Sequence, residues 1–314
     1  MILTNATVVT GERVLAGTVT IEQGLIKEVD EGPTSAAGAI DLGGDYLLPG
    51  LVELHTDNLE KQLRPRPSVN WPVDAAMLAH DSQVISAGIT TVCDAVCVGY
   101  YGNKQERVGF LQGSIDAIRV GRANGLLKAD HHLHLRCEIA DPHVVELFEP
   151  LARTPELSLV SVMDHTPGQR QFRDIDRWKK FAGKDGVERG EKMLAERLSN
   201  QARYSDENRQ RLMAIMRDVV EDRTVPLASH DDTTVEHVAL AAAEGMSISE
   251  FPTTEEAARA ARAAGLSIIM GAPNVVLGAS QSGNVSARSL GEMDLLDALS
   301  SDYVPSSLLH AVFL

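Results

Sequence analysis

A repeating unit of helix, glycine and strand constrains the fold of this chain more than any other feature. After Pro49, four segments with helical periodicity end in glycine and lead into short apolar runs. In order they are "AAMLAHDSQVISAG" before "ITTVCDAV", "SIDAIRVGRANG" before "ADHHLHLRCEI", "TTVEHVALAAAEG" before "MSISEF", and "TTEEAARAARAAG" before "LSIIMGAPN". Strands joined by single helices pair in parallel through right-handed crossovers, so the pattern predicts an α/β protein with a parallel sheet.

Eight apolar runs have the length of a buried strand. They are residues 47–55, 89–96, 132–139, 157–165, 225–230, 246–251, 266–271 and 295–302. Eight such units predict a closed (β/α)8 barrel of the TIM type. The alternative is an open doubly wound sheet, but no glycine-rich phosphate loop follows the first strand, as is usual in its nucleotide-binding forms.

Two of the predicted helices carry both start and stop signals. Thr233 and Thr253, each followed three positions later by a glutamate, are typical of capping boxes at a helix start. Gly245 and Gly265 stand where a left-handed residue ends a helix. The helix boundaries are therefore marked independently of the apolar periodicity.

Two stretches depart from the repeat and suggest the domain organisation. Residues 1–48 alternate apolar and polar side chains around a turn candidate at Gln23–Gly24, which predicts a small domain of antiparallel strands. Residues 49–314 would form the barrel, with a charged helical insertion at 166–224. That insertion is either a lid over the open face of the barrel or a solvated helical hairpin, and the sequence does not choose between them.

Charge and hydropathy exclude several classes of function. The formal net charge is -15, with 44 acidic against 29 basic residues, which disfavours binding to nucleic acid or to an anionic membrane. No apolar run reaches the roughly 18 residues of a membrane span. The N-terminus lacks the basic start and apolar block of a secretory signal. We therefore expect a cytoplasmic protein that acts on a small molecule.

Polar residues follow the predicted strands where the active site of such a barrel lies, at the carboxyl ends of the strands. The candidates there are His55, Asp57, His132, His134, Arg136, Glu138, Asp164, His165, His230 and Asp302. Neutral imidazole and carboxylate oxygen are ligands that suit Zn²⁺ and similar divalent ions. Their recurrence at several strand ends predicts a metal site, with His55 and Asp57 as its first two ligands.

Several motifs resemble the amidohydrolase superfamily. The segment "DLGGDYLLPGLVELHTD" is similar to the entry into that family's first barrel strand, with His-Thr-Asp in place of the usual His-x-His. The resemblance extends over essentially the whole chain through "NLEKQLRPRPSVNW", "HHLHLRCE", "MDHTPGQRQF", "ASHDD", "EFPTT", "MGAPNVVLGASQSGNVSA" and "LSSDYVPSSLL". Together these motifs resemble one branch of the superfamily, which removes pyrophosphate from a phosphorylated ribose phosphonate in the carbon-phosphorus lyase pathway.

The resemblance implies a role for each candidate residue. The implied metal ligands are His55, Asp57, Glu138, His165 and His230. Glu138 would take the bridging position, and Asp302 would be the catalytic aspartate. The cofactor would be one or two divalent ions, Zn²⁺ first and Mn²⁺ as an alternative. The implied partner is a small molecule, the phosphorylated ribose phosphonate that serves as substrate.

A triphosphate substrate requires positive charge around its nonbridging oxygens. Guanidinium groups bind phosphate oxygens in pairs, and an ammonium group does so as a point charge. The candidates are Lys61, Arg64, Arg66, Arg136 and Arg170. The alternative for each of them is a solvated surface charge.

Other interpretations of the chain stay open. It could be a conventional metal-dependent amidohydrolase or deaminase that cleaves carbon-nitrogen bonds, or an inactive fragment that only binds. The sequence ends at Leu314, whereas the resembled family continues with a closing segment of helix and strands. Without that segment we expect lower stability and uncovered strand edges, which favour pairing with another chain as a homo-oligomer.

Overall fold

The structure is a computed structural model and describes residues 1–66, 69–99, 104–182, 187–222, 224–280 and 283–314. The chain divides into two compact units, Met1–Leu51 and Val52–Leu314. The first unit contains β1 (Ile2–Val9), β2 (Val14–Glu22), β3 (Leu25–Glu31), β4 (Ile40–Asp41) and β5 (Tyr46–Leu47). The strands β1, β2 and β3 form an antiparallel meander, whereas β4 and β5 pair with β1 in parallel.

A hairpin turn and a small core hold the first unit together. Gln23 and Gly24 connect β2 to β3 with positive φ angles of 52° and 80°, the conformation of a tight hairpin turn. Ala6, Val8 and Val19 form its buried core. Inward and outward side chains therefore alternate along β1, as expected for a sheet with one covered face.

Eight parallel strands of the second unit follow one another in chain order around a nearly closed barrel. They are β6 (Leu51–Thr56), β7 (Ile89–Val98), β8 (Asp130–Glu138), β9 (Leu157–Met163), β10 (Leu227–His230), β11 (Ile248–Glu250), β12 (Ser267–Gly271) and β13 (Ala298–Ser300). Each of the eight predicted strands is present, and the prediction of a (β/α)8 barrel is confirmed.

Helices connect these strands. They are α1 (Asn58–Leu63), α2 (Val73–Ser86), α3 (Lys104–Ala123), α4 (Val144–Phe148), α5 (Ile175–Ala182), α6 (Val187–Asp222), α7 (Val235–Ala243), α8 (Glu255–Ala263), α9 (Ala272–Leu277), α10 (Ala287–Glu292) and α11 (Ser307–Val312). In the described part of the chain, no helix combines the length and the apolar character needed to cross a membrane.

Backbone hydrogen bonds between the ends of β6 and β13 close the barrel. The N–H of Asp57 donates to the carbonyl oxygen of Asp302 at 3.0 Å, and the N–H of Asp302 donates to that of His55 at 3.1 Å. The buried Glu53 carboxyl reinforces this closure, since it accepts the N–H of His55 at 2.7 Å and the N–H of Ser301 at 2.6 Å. The barrel therefore closes at residues that the sequence places in the site.

The starts of α7 and α8 lie one residue later than the predicted capping boxes. Thr234 and Thr254 are the caps, each accepting the N–H of the residue three positions on, at 3.3 and 3.1 Å. Thr233 and Thr253 instead join the two helix starts through a hydrogen bond between their hydroxyls at 2.8 Å. The glycines predicted to end both helices have φ angles of 81° and 79°.

The segment between β9 and β10 is helical over most of its described length. A 3-10 turn at Arg170–Phe172 leads to α5 and then to α6, which contains 36 residues. Leu212, Met216 and Val219 are buried at helical spacing and so lie on one face of α6. This helix packs against α4 and α5, and its apolar face is covered rather than solvated.

A buried polar network joins α2 to the outside of the barrel. The Asp94 carboxylate on β7 accepts a hydrogen bond from His80 at 2.6 Å and from His131 at 2.7 Å. The second ring nitrogen of His131 lies 3.2 Å from Asp81. Burial opposes charge on both partners, but their mutual attraction outweighs it: the pKa of Asp94 is lowered to about 2 and that of His131 is raised.

We expect Asp94→Asn to destabilise the fold by about 3–5 kcal/mol, the usual loss when one member of a buried ionic group is removed. An amide has one acceptor oxygen, so one imidazole N–H would face an NH₂ group. Urea unfolding would measure the change. Asp116→Asn, on the exposed face of α3, is the matched control, with an expected change within about 0.5 kcal/mol. Equal stabilities of the two variants would contradict the prediction.

Candidate active site

A cavity of about 440 Å³ lies at the carboxyl ends of the barrel strands. The predicted site residues that line it are His55, Asp57, Arg136, Glu138, His165, His230 and Asp302. They come from five different strands or the one or two residues that follow them, and are separated by up to 247 positions in the chain. The barrel thus brings together all of the predicted metal ligands and the predicted catalytic aspartate.

Three histidines in this cavity share one arrangement: Nδ1 of each ring faces a carboxylate. The Nδ1 atoms of His55 and His230 lie 3.0 and 3.1 Å from the two carboxylate oxygens of Glu250. The Nδ1 of His165 lies 2.8 Å from Glu138. An ionised carboxylate only accepts, so each Nδ1 carries the proton and each Nε2 keeps its lone pair. The rings are therefore prepared to bind a metal through Nε2.

Glu250, at the end of β11, is the shared acceptor and is completely buried. It also accepts the hydroxyl of Ser161 at 2.5 Å. Burial opposes its ionisation, but the imidazoles of His134 and His55 and the hydrogen bond from His230 outweigh it and hold its pKa well below the usual range. For His230 burial acts in the opposite sense and itself keeps the pKa well below its usual value, so that ring is neutral and able to bind a metal.

Asp231 brings a third electron-pair donor to two of these rings. Its Oδ2 lies 3.4 Å from Nε2 of His230 and 3.6 Å from Nε2 of His165. This oxygen is buried and has no hydrogen-bond partner among the described residues. Burial raises the pKa of its carboxyl to about 6. Three electron pairs that converge without a proton between them suit a divalent cation, and the donor set fits the predicted metal.

Asp57 and Asp302 form an acidic pair beside His55. The Oδ1 of Asp57 is buried and unpartnered within the described part of the chain. Burial, followed by the negative charge of Asp57, raises the pKa of Asp302. Two carboxylates that repel each other in a buried place are stabilised by a cation or by a shared proton. The repulsion between Asp57 and Asp302 is therefore a further reason to expect a cation or a shared proton at this place.

Three groups of the described residues bring potential ligand atoms within 4.8 Å of one another. Two lie in the cavity and share His230, one with His55 and Glu250 and the other with His165 and Asp231. The third is the network around Asp94. Glu138, predicted to bridge metals, belongs to none of these groups and instead accepts hydrogen bonds from the ring and the backbone N–H of His165.

Among the cations predicted to bind phosphate, only Arg136 lines the described part of the cavity, and its buried Nε has no acceptor among the described residues. Arg170 lies outside this lining, and its Nη1 donates to the Asp232 carboxylate at 2.8 Å and to the carbonyl oxygen of His230 at 2.7 Å. The other three lie outside the lining: Lys61 bonds to the carbonyl oxygen of Tyr303, Arg64 stacks on Phe110, and Arg66 is exposed. Their role in binding phosphate stays a prediction.

Sequence reasoning missed three residues that line the cavity or orient its histidines: Glu250, Asp231 and Arg197. Glu250 and Asp231 stand at strand ends, in "EFPTT" and "ASHDD", so the rule that found the histidines also covers them. Arg197 lies within α6, far along the chain from any strand end. No local pattern distinguishes it from the other charged residues of that helix.

Comparison with known proteins identifies a relative that matches the whole chain. No family model matches the chain. The chain is 43% identical over 316 aligned residues to the alpha-D-ribose 1-methylphosphonate 5-triphosphate diphosphatase of Escherichia coli strain K12, covering 100% of this chain and 82% of that protein. The chain belongs to this diphosphatase family. A shorter match, 34% identical over 77 residues, relates 24% of the chain to 16% of a dihydroorotase from Trichlorobacter lovleyi.

Two solved structures share the fold of this chain. A prolidase complexed with N-methylphosphonate-L-proline superimposes with a TM-score of 0.56, at 15% identity, covering 98% of this chain and 79% of that one. A dihydropyrimidinase from Brevibacillus agri superimposes with a TM-score of 0.50, at 13% identity, covering 99% of this chain and 75% of that one. At these identities the likeness supports the barrel architecture alone.

We expect His165→Ala to weaken the binding of a divalent metal by more than the roughly 10–100-fold that follows loss of an outer hydrogen-bond partner, because it removes a converging Nε2. Equilibrium dialysis followed by elemental analysis would measure it. His132→Ala is a matched control: the two side chains are 20% and 25% exposed, and His132 lies outside the cavity lining. Equal metal retention in the two variants would exclude His165 as a ligand.

We expect Glu250→Gln to weaken metal binding by about 10–100-fold although residue 250 need not touch the ion. The amide cannot accept from the Nδ1 atoms of His55 and His230 at once, so one ring loses its orientation and tautomer. The exposed change Glu292→Gln should leave the affinity unaltered. A folded Glu250→Gln protein with unchanged metal affinity would refute the orienting role.

Proposed function

We propose that this protein is a metal-dependent hydrolase that converts alpha-D-ribose 1-methylphosphonate 5-triphosphate to the 5-phosphate and pyrophosphate, in the cytoplasm. The observation that carries the proposal is the 43% identity to the Escherichia coli diphosphatase across the entire chain. The cavity supports it, since histidine Nε2 atoms and buried carboxylate oxygens converge where a barrel enzyme holds its metal.

The metal in this proposal is zinc, as one or two ions. Imidazole nitrogens and carboxylate oxygens are its common ligands in catalytic sites. The residues that would hold it are His55, Asp57, His165, His230 and Asp231, with Glu138 and Glu250 orienting the rings. When bound, such an ion supplies positive charge against phosphate oxygens and acidifies water.

Asp302 would take the proton of the attacking water. Its carboxyl lines the cavity, and its raised pKa suits a group that must accept a proton and then hold it. The water oxygen forms a bond to phosphorus while the bond between the first and second phosphates breaks, which yields the 5-phosphate and pyrophosphate. Arg136 would bind nonbridging oxygens of the reacting phosphate, because its guanidinium lies within the cavity and is attracted by Asp57 and Asp302.

We expect pyrophosphate to be the first inorganic product, formed together with the ribose 5-phosphate, when the metal-loaded protein is incubated with the ribose 5-triphosphate and followed by phosphorus NMR. A stepwise phosphatase would instead release orthophosphate from the start. Early orthophosphate, or no turnover with metal bound, would count against the proposed reaction.

The control for this experiment is Asp302→Asn, which keeps the shape of the side chain and removes its basicity. Turnover should fall by about 10²–10⁴-fold, the usual contribution of a general base, while metal content is retained. Asp206→Asn, on the exposed surface of α6, should keep full turnover. Undiminished activity of a metal-loaded Asp302→Asn protein would remove Asp302 from the mechanism.

A further inference from the structure

The described lining of the cavity is acidic, although the proposed substrate is a polyanion. Its carboxylates are Asp57, Glu60, Glu138, Asp231 and Asp302. Its guanidinium groups, within the described residues, are those of Arg136 and Arg197. A metal can compensate the carboxylates, but a triphosphate brings further negative charge that must also be met. The two arginines are therefore the side chains of this lining that carry permanent positive charge toward a phosphate chain.

Arg197 reaches the cavity from outside the barrel. It lies on α6, in the segment between β9 and β10. Its Nη1 donates to the carbonyl oxygen of His165 at 3.3 Å. Its guanidinium also lies over the ring of Trp178, 5.6 Å from the centroid, and that indole is 2% exposed. The carbonyl and the indole thus hold the side chain beside the histidine cluster, where its planar group is pre-organised.

The positions of the strands place Arg197 opposite the proposed base. Asp302 follows β13, and His165, which Arg197 contacts, follows β9. In the order of the barrel, β9 stands four strands from β13 whichever way the ring is followed. A triphosphate whose reacting phosphorus faces Asp302 can therefore extend its outer phosphates across the mouth toward Arg197. Arg136 stands deeper, two residues before the end of β8, and the proposed mechanism assigns it to the reacting phosphate.

We propose that Arg197 is a specificity-determining residue that binds the two outer phosphates, the part of the substrate that leaves as pyrophosphate. This inference rests on the proposed function for the identity of the substrate. It assigns to the α5–α6 segment a direct part in substrate selection. A guanidinium at this position binds two phosphate oxygens through parallel hydrogen bonds. It favours a triphosphate over a monophosphate, because a monophosphate bound beside Asp302 is too short to reach Arg197.

The test compares Arg197→Met with Arg203→Met. Arg203 is a matched control. It lies on the same helix and outside the cavity lining, and its guanidinium carbon lies 5.2 Å from the centroid of the Tyr204 ring. Isothermal titration calorimetry of metal-loaded protein with inorganic pyrophosphate and with methylphosphonate measures binding without turnover. We expect Arg197→Met to weaken pyrophosphate binding by about 10–100-fold, with methylphosphonate and the Arg203→Met control changed less than about twofold.

Kinetics with the ribose 5-triphosphate provide the second measurement. The KM should rise by about the same factor in Arg197→Met, whereas a merely structural role would weaken both calorimetric ligands alike. Unchanged pyrophosphate affinity in folded Arg197→Met overturns the inference. If that variant does not fold, Arg197→Lys decides: weaker pyrophosphate binding supports the inference, because an ammonium lacks the paired donors, and unchanged binding overturns it.

The outcomes separate this inference from the proposed function. If the wild type does not hydrolyse the triphosphate but Arg197→Met selectively loses pyrophosphate binding, the pyrophosphate site is supported and the proposed reaction is refuted. Wild-type release of pyrophosphate that Arg197→Met leaves unaltered supports the reaction and refutes the role of Arg197.

Discussion

The carboxylate of Glu250 is the interaction on which the geometry of the cavity depends. It lies at the end of β11 and accepts Nδ1 of His55 from β6 and Nδ1 of His230 from β10, at 3.0 and 3.1 Å. A buried carboxylate is costly unless hydrogen bonds satisfy it, and these imidazoles together with the Ser161 hydroxyl do so. In return the carboxylate orients both rings and leaves their Nε2 atoms unprotonated, and the Nε2 of His230 lies 3.4 Å from the Asp231 carboxylate. One residue on β11 thus bonds to side chains of β6, β9 and β10 and determines which ring nitrogens are available.

The strand ends that carry this chemistry also carry unusual backbone conformations. Asp231, Phe251 and Asp302 follow β10, β11 and β13 and have positive φ angles of 55°, 54° and 52°. Side chains other than glycine adopt this region at a cost of about 1–2 kcal/mol each. Hydrogen bonds of the barrel rim offset it, since the N–H of Asp231 donates to the backbone carbonyl oxygen of Glu250 and that of Phe251 donates to the backbone carbonyl oxygen of Ile269. The rim therefore holds two of the proposed acidic residues in positions that an unconstrained chain disfavours.

Much of the fold and part of the site could be predicted because they depend on local patterns. Helical periodicity ending in glycine predicts four of the barrel strands, the apolar runs predict all eight, and polar residues at the ends of those runs identify His55, His230 and Asp302. The capping boxes were predicted one residue early, because consecutive threonines offer two caps and only the contacts between α7 and α8 distinguish them. The ion pair of Arg170 could not be predicted, because its partner Asp232 lies 62 positions away.

The sequence by itself determined the number of strands, their parallel order and the residue types at their ends, because these follow from periodicity and from chain connectivity. Only the tertiary structure decided which of those side chains share an oxygen or a lone pair. Glu250 meets a histidine 195 positions away, and a helix outside the barrel brings Arg197 to the carbonyl of His165. Such contacts depend on distances between strand ends across a closed ring, and local sequence carries no information about these distances.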